Sequence, residues 1–345
     1  MRCNQRKRNP QQGTCGQRAK RGRPVDGVVD LGQDVFAIDT RMGGYSGITA
    51  GYLIRGDRPC LIETGTAKSA PRVQECLSHL GIEAADLATV VVTHIHLDHA
   101  GGAGDIAAMY PNSQVVVHEK GARHLADPTK LVQSARRVFG PAMDRLFGDL
   151  LPTPAERIVA LGEIGHIDLG AGRSLEAFHA PGHASHHIGL VDSATGDLYT
   201  GDAAGIYVPE TQDVRPSTPP PDFDLDLAIA SIERMRAALP TRLLFSHYGP
   251  VDDVSLTLDR SIEELHLWVE MVREARDRNF DLDHAVAMVI EQSQVRLPAF
   301  HDDADVVLKF EELASTAANV AGISRWLDKV DGPGSTSGDA AGVTR

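Results

Sequence analysis

Val90-Val91-Val92-Thr93-His94-Ile95-His96-Leu97-Asp98-His99, followed by Ala100-Gly101-Gly102-Ala103-Gly104, decides how this chain folds. Three β-branched apolar residues in a row read as a strand buried on both faces. Three imidazoles and one carboxylate then fall within six positions. The small residues that follow let the backbone turn tightly beside a bulky site. A polar cluster at the end of a buried strand is where α/β proteins place their chemistry. Imidazole nitrogen and carboxylate oxygen are the ligands of zinc, and iron or manganese tolerates them. In extended chain the side chains alternate, so His94, His96 and Asp98 start on one side, and a curling loop brings His99 round.

Four ligands this close in sequence rarely enclose one ion, so further ligands are expected downstream. Ala180-Pro181-Gly182-His183 follows an apolar-alternating run. Tyr199-Thr200-Gly201-Asp202 ends a second run, and Leu243-Leu244-Phe245-Ser246-His247-Tyr248-Gly249-Pro250 ends a third.

The order H-x-H-x-D-H, P-G-H, G-D and S-H-Y-G resembles the metallo-β-lactamase-fold hydrolases across about residues 28 to 252. Within that superfamily the pattern is most similar to the glyoxalase II-like thioesterases and the lactonases. The flavodiiron oxygen reductases of the same fold carry Glu where His96 stands. The resemblance implies an α/β fold, a four-layer αββα sandwich with an α-helical C-terminal region. It implies His94, His96 and His183 on one metal, Asp98, His99 and His247 on a second, and Asp202 bridging both. Two divalent ions are the expected cofactor, zinc foremost, with iron or manganese as alternatives. The family usually shows Asp-Thr-Gly where this chain has Glu63-Thr64-Gly65, so Glu63 is a candidate support for the cluster, one methylene longer.

The chain has 345 residues, 42% of them apolar, enough for a substantial core. Its formal net charge is −13, and the first 25 residues hold eight Lys and Arg and no acid, so the remainder stands at −21. So acidic a body argues against a nucleic-acid partner, because such binding rests on neutralising phosphates. Residues 1–25 read as a disordered basic extension without a signal-peptide apolar stretch. No run is long enough for a membrane span. The four cysteines, Cys3, Cys15, Cys60 and Cys76, have no C-x-x-C spacing and read as free thiols of a cytoplasmic protein. The expected partner is a small-molecule ester or thioester; nothing in the sequence sets an oligomeric state.

Residues 26–253 read as the catalytic domain, 254–330 as a helical C-terminal region and 331–345 as a disordered tail. Val28–Arg41 is expected to be a strand pair, with Val35 and Ala37 facing one way and Phe36 and Ile38 the other. Residues 129–150 form a helical insertion, either a lid or a packed surface pair. Arg157–Ile167, Ser174–Phe178, Ile188–Val191 and Leu198–Thr200 are expected to form the second sheet. The proline-rich stretch from Gly205 to Phe223 starts three residues after Asp202 and reads as a wall of the substrate pocket. Beyond Asp253, apolar residues recur at helical spacing, as in Leu258, Ile262, Leu265, Val269 and Val272, and Val306–Leu327 continues the pattern.

His187 is a candidate support or substrate contact, as are Tyr207 and Tyr248. His118 and His179 read as hydrogen-bonded structure. Asp98 is the candidate catalytic group, since it is the one acid inside the histidine cluster and can carry a proton beside an activated water. The expected reaction is metal-dependent hydrolysis of a thioester, lactone or related ester. The alternative is a mononuclear iron persulfide dioxygenase of the same fold. A non-enzymatic scaffold has no need of seven ligand-type residues.

Overall fold

The computed structural model describes residues 26–313 and 315–331. The expected basic extension, Cys3, Cys15 and the tail beyond Asp331 lie outside the described residues. The first sheet has seven strands in sequence order: β1 (Val28–Gly32), β2 (Val35–Asp39), β3 (Ala50–Ile54), β4 (Cys60–Ile62), β5 (Thr89–Val91), β6 (Gln114–His118) and β7 (Ile158–Leu161). The first four form an antiparallel meander, and β4 to β7 run parallel. The second sheet contains β8 (Ile164–Asp168), β9 (Ser174–His179), β10 (Ile188–Asp192) and β11 (Asp197–Gly201). A two-stranded ribbon, β12 (Ile206–Val208) and β13 (Asp213–Arg215), interrupts it before β14 (Arg242–Phe245) and β15 (Gly249–Val251) complete the sheet.

Alternation in β2 explains the layering. Val35 and Ala37 point into a core shared with Leu175, Ile188, Leu190 and Leu244 of the second sheet. Phe36 and Ile38 point the other way, into a core with Val73, Cys76 and Leu77 of α1 (Ala70–His79) and Ile106 of α2 (Ala103–Met109). All five residues of β2 are buried, as a strand covered on both faces requires. The same side is covered by Leu125 of α3 (Glu119–Ala126). α4 (Thr129–Phe139) has no buried residue, whereas α5 (Ala142–Leu146) inserts Met143 and Leu146. Leu131, Val132 and Ala135 of α4 pack half-buried against the same core, so both helices of the insertion rest on it and α5 enters it more deeply.

On the far face of the second sheet lie α6 (Leu225–Ala237), α7 (Val254–Asp277), α8 (Leu282–Arg296) and, after α9 (Pro298–His301) and α10 (Ala304–Leu313), α11 (Thr316–Val330). Leu198, Leu243 and Phe245 of the sheet share one apolar core with Ile232, Leu258, Trp268, Val289 and Ile323 of these helices. The layers are thus helix, sheet, sheet, helix, and the C-terminal helices supply part of the fourth layer. Phe300 and Phe310 of α9 and α10 pack on Ile206 and Val208 of the ribbon. No described helix is long and apolar enough to cross a membrane.

Two expectations are corrected. Arg157–Ile167 is not one strand of the second sheet. Residues 158–161 pair parallel with β6 in the first sheet, and the chain crosses at Gly162-Glu163 to pair antiparallel with β9. A short apolar run carries no mark of which sheet it joins, and the crossing needs only two residues. Val306–Leu327 is not one continuous helix either. Ser315 caps a new one, its hydroxyl accepting from the N–H of Ala318 at 3.0 Å.

Trp268 is 1% exposed at the centre of the outer core. Trp268→Ala is expected to cost about 3–5 kcal/mol of unfolding free energy, measured by denaturant titration.

Candidate metal centre

Strand ends at one edge of the sandwich deliver the polar residues. Glu63 follows β4, the histidine cluster follows β5, Asp202 follows β11 and His247 lies just past β14, while His183 sits in the turn between β9 and β10. Past β5 the chain does not stay extended. The N–H groups of His99 and Ala100 both donate to the carbonyl of His96, at 3.1 and 2.9 Å. That turn divides the cluster. His94 and His96 group with His183, and Asp98 and His99 with His247, while His94, His99 and Asp202 converge between them, so the alternate residues 94, 96 and 98 do not form one group.

In the first group His94 Nε2 and His183 Nε2 lie 3.0 and 2.9 Å from His96 Nδ1. In the second, His99 Nε2 is 3.0 Å from His247 Nε2, and Asp98 Oδ2 is 3.6 and 3.4 Å from them. Asp202 lies between. Its Oδ1 is 3.2 Å from His99 Nε2 and 3.3 Å from His247 Nε2; its Oδ2 is 3.6 Å from His183 Nε2.

Tautomers follow from the outer partners. A carbonyl only accepts, so His183 Nδ1 donates to Ser217 O at 3.0 Å and His247 Nδ1 donates to Ile48 O at 2.8 Å. His183, whose pKa burial lowers, therefore turns a bare Nε2 lone pair inward. At His247 burial would lower the pKa, but Asp202 and Asp98 raise it, and its Nε2 faces their oxygens. The inward Oδ1 of Asp202 is buried and has no hydrogen-bond donor. Lone pairs converging at about 3 Å repel unless cations or protons lie among them. Burial, together with the neighbouring His99, His96 and His183, keeps His94 far below its usual range. Burial and His183 push His96 down to about 3. The first group thus resists protons and offers three neutral imidazoles. At His99, burial would lower the pKa, but Asp202, Asp98 and Glu63 raise it well above the usual value. Burial would likewise raise Asp98, but His99 and His247 hold it at about 2. A nitrogen-rich cage and a carboxylate-bearing one are ligand sets that fit divalent metal ions.

Supporting groups surround the cages. Glu63 is 1% exposed; its Oε1 accepts from Thr93 N–H at 3.1 Å and its Oε2 lies 3.5 Å from His99 Nδ1. It occupies left-handed backbone at φ 64, which an ordinary strand end does not require. His187, fully buried, accepts the N–H of Asp202 on Nε2 at 3.0 Å. A Cβ on Gly201 would sit 2.3 Å from that nitrogen, so residue 201 must lack a side chain. Tyr207 and Tyr248 meet the site through backbone: Tyr207 N–H donates to His247 O, and Tyr248 N–H donates to Tyr207 O. The Tyr207 ring packs instead on Phe245, and Tyr248 packs half-buried against the core between the sheets. His186 stands beside the first cage, its ring centroid 6.2 Å from that of His94 and 5.9 Å from that of His96.

His118, Glu163 and His179 also converge within 4.8 Å. However, His118 Nδ1 accepts from Lys120 N–H at the start of α3, so its proton sits on Nε2, which then offers no lone pair. His179 is engaged by Glu163 and Ser185 O, at 3.1 and 3.0 Å. The sequence reading overlooked Thr93, whose hydroxyl meets His94 Nδ1 at 3.0 Å, and Ile48 and Ser217. Two of these act through carbonyls, which every residue has, and so leave no sequence signal.

The description of the metallo-beta-lactamase superfamily fits residues 44–247. A metallo-beta-lactamase fold-containing protein of Sulfurisphaera tokodaii is 29% identical over 60% of this chain and 76% of its own length. A Bacillus subtilis protein named "Probable metallo-hydrolase YqjP" is 25% identical over 71% of this chain and 81% of its own. The solved structure of a metallo-beta-lactamase family protein from Thermus thermophilus superimposes with a TM-score of 0.59, at 19% identity, over 82% of this chain and 89% of that one.

Removing the charge of Glu63 in Glu63→Gln keeps an acceptor for Thr93 but loosens His99. Metal affinity is expected to fall about 10- to 100-fold, read by competition with a chromophoric chelator.

Proposed function

This chain belongs to the metallo-β-lactamase superfamily, and from that premise we propose that it holds two divalent metal ions and hydrolyses a thioester, lactone or related ester. The observation that carries this reading is Asp202, which turns a separate oxygen toward each of two ligand cages. Ions held there would supply an activated water near neutral pH and draw electron density from a substrate carbonyl. The protein's part is to place the remaining groups. His94, His96 and His183 form the first cage, and Asp98, His99 and His247 the second.

Asp98 meets the second cage through Oδ2. Its Oδ1 is left to orient the attacking water and to carry a proton to the leaving group. Against its burial, His99 and His247 hold Asp98 at about 2, so it is ionised at neutral pH and can accept a hydrogen bond from that water. No Lys or Arg stands among the cage residues and the groups hydrogen-bonded to them, so a phosphodiester finds no cationic side-chain clamp there. The mononuclear iron persulfide dioxygenase reading would leave the second cage without a role. His96 in the first cage, where flavodiiron relatives carry Glu, also favours hydrolysis.

Elemental analysis of protein purified without chelator is expected to give close to two equivalents of zinc, iron or manganese. One equivalent or less after reconstitution would rule out the dinuclear reading, and one equivalent of iron would favour the oxygenase. A panel of thioesters and lactones tests the substrate class, with hydrolysis expected for at least one.

Asp98→Asn keeps an oxygen for coordination and loses the basicity. Turnover is expected to fall about a hundred- to ten-thousand-fold while most metal is retained. Metal content and rate belong on the same preparation: a proportional loss of both would make Asp98 only a ligand.

A further inference from the structure

The two first-cage partners that lie outside the histidine cluster, His183 and Asp202, are both held by one residue of the proline-rich segment. Ser217 accepts from His183 Nδ1 through its carbonyl at 3.0 Å. Its hydroxyl donates to Asp202 Oδ2 at 3.1 Å, the carboxylate oxygen that faces the first cage. Ser217 lies in an irregular stretch, so neither a helix nor a strand ladder fixes it.

What fixes it comes from α11. Thr218 N–H donates to Asn319 Oδ1 at 2.6 Å, and the Thr218 hydroxyl donates to the same oxygen at 3.1 Å and to Asn319 O at 3.2 Å. Asn319 is 2% exposed, so these donors have no competing water. The helix can come this close because residue 322 is glycine: a Cβ there would lie 1.8 Å from Thr218 O. On the other side of Ser217, Arg215 is tied to Glu311 of α10 at 2.7 Å and to Thr316 of α11 at 3.2 Å. The loop that orients His183 and Asp202 is thus clamped to the C-terminal helices on both sides of Ser217.

We propose that Ser217 and Asn319 are positioning residues through which α11 sets the metal affinity of the first cage. This rests on the metal-binding reading above. Asn319 holds the backbone of Thr218, which places Ser217, which aims one imidazole and one carboxylate oxygen. Outer partners of metal ligands typically contribute about 10- to 100-fold in affinity. The effect falls mainly on the first cage, because His99 and His247 are held by other partners, Glu63 and Ile48, and Ser217 meets only the Oδ2 of Asp202.

The test is stepwise titration of the chelator-stripped full-length protein with Zn(II) against a competing chromophoric chelator. His96→Ala identifies which step belongs to the first cage. Ser217→Ala, which keeps the carbonyl bond to His183, and Asn319→Leu, which removes the acceptor, are both expected to weaken that step about tenfold or more. The other step should move by less than about twofold. Asn319→Asp retains an acceptor oxygen and is expected to recover most of the affinity. Melting of the metal-free variants separates simple destabilisation from this effect. Equal weakening of both steps, or no weakening in Ser217→Ala, overturns the proposal. A wild-type protein that takes only one ion defeats the dinuclear reading alone. The positioning role is then read from that ion's constant, and fails if neither variant lowers it.

Discussion

The structure depends on a repulsion. Nε2 of His183 and of His247, three further ring nitrogens and the oxygens of Asp98 and Asp202 converge with separations of 2.9 to 3.6 Å. Among the described residues the inward oxygen of Asp202 has no hydrogen-bond partner, and its neighbours are the Nε2 atoms of His99 and His247. Such a cluster does not form by local preference. Burying an ionised carboxylate alone costs several kcal/mol, and crowding acceptors around it adds to that. The apolar layers must therefore hold it, and cations would convert the repulsion into binding. This is why the ligands sit on the ends of deeply buried strands, where displacement would strain two sheets at once.

The outer partners make the arrangement specific. Carbonyl acceptors at Ile48 and Ser217 choose the tautomers of His247 and His183, and no side-chain change at those positions removes them. Glu63 reaches both Thr93 and His99 from left-handed backbone.

The parts of the site that the sequence made legible share one feature: an apolar run short enough for a strand, followed at once by a metal-ligand residue type. His94, His183, Asp202 and His247 all stand in that context, and the structure brings them to one edge. Period-two alternation failed within the cluster itself, because hydrogen bonds to His96 O close a turn before Asp98. Sheet membership was not legible at Gly162-Glu163, where the chain passes from one sheet to the other between two short apolar runs. Ser217 and Asn319 were invisible for a different reason. One lies in a segment without periodicity. The other is a buried amide on an amphipathic helix, where a polar residue reads as a solvent-facing position.

The C-terminal helices follow the same logic. Pro216, Pro219, Pro220 and Pro221 have no N–H to offer a ladder, so the segment that contains Ser217 cannot be stiffened by joining a sheet. Its few donors must be satisfied from outside, and Thr218 finds both an N–H and a hydroxyl partner on Asn319. A rigid metal centre beside a proline-rich wall therefore requires a third element to brace that wall. The outer helical layer already covers the second sheet through Trp268, Ile323 and Leu327, so bracing it with α11 needs no additional domain. Packing of the outer layer and geometry of the first cage are thereby one structural problem, solved at the contact between Gly322 and Thr218.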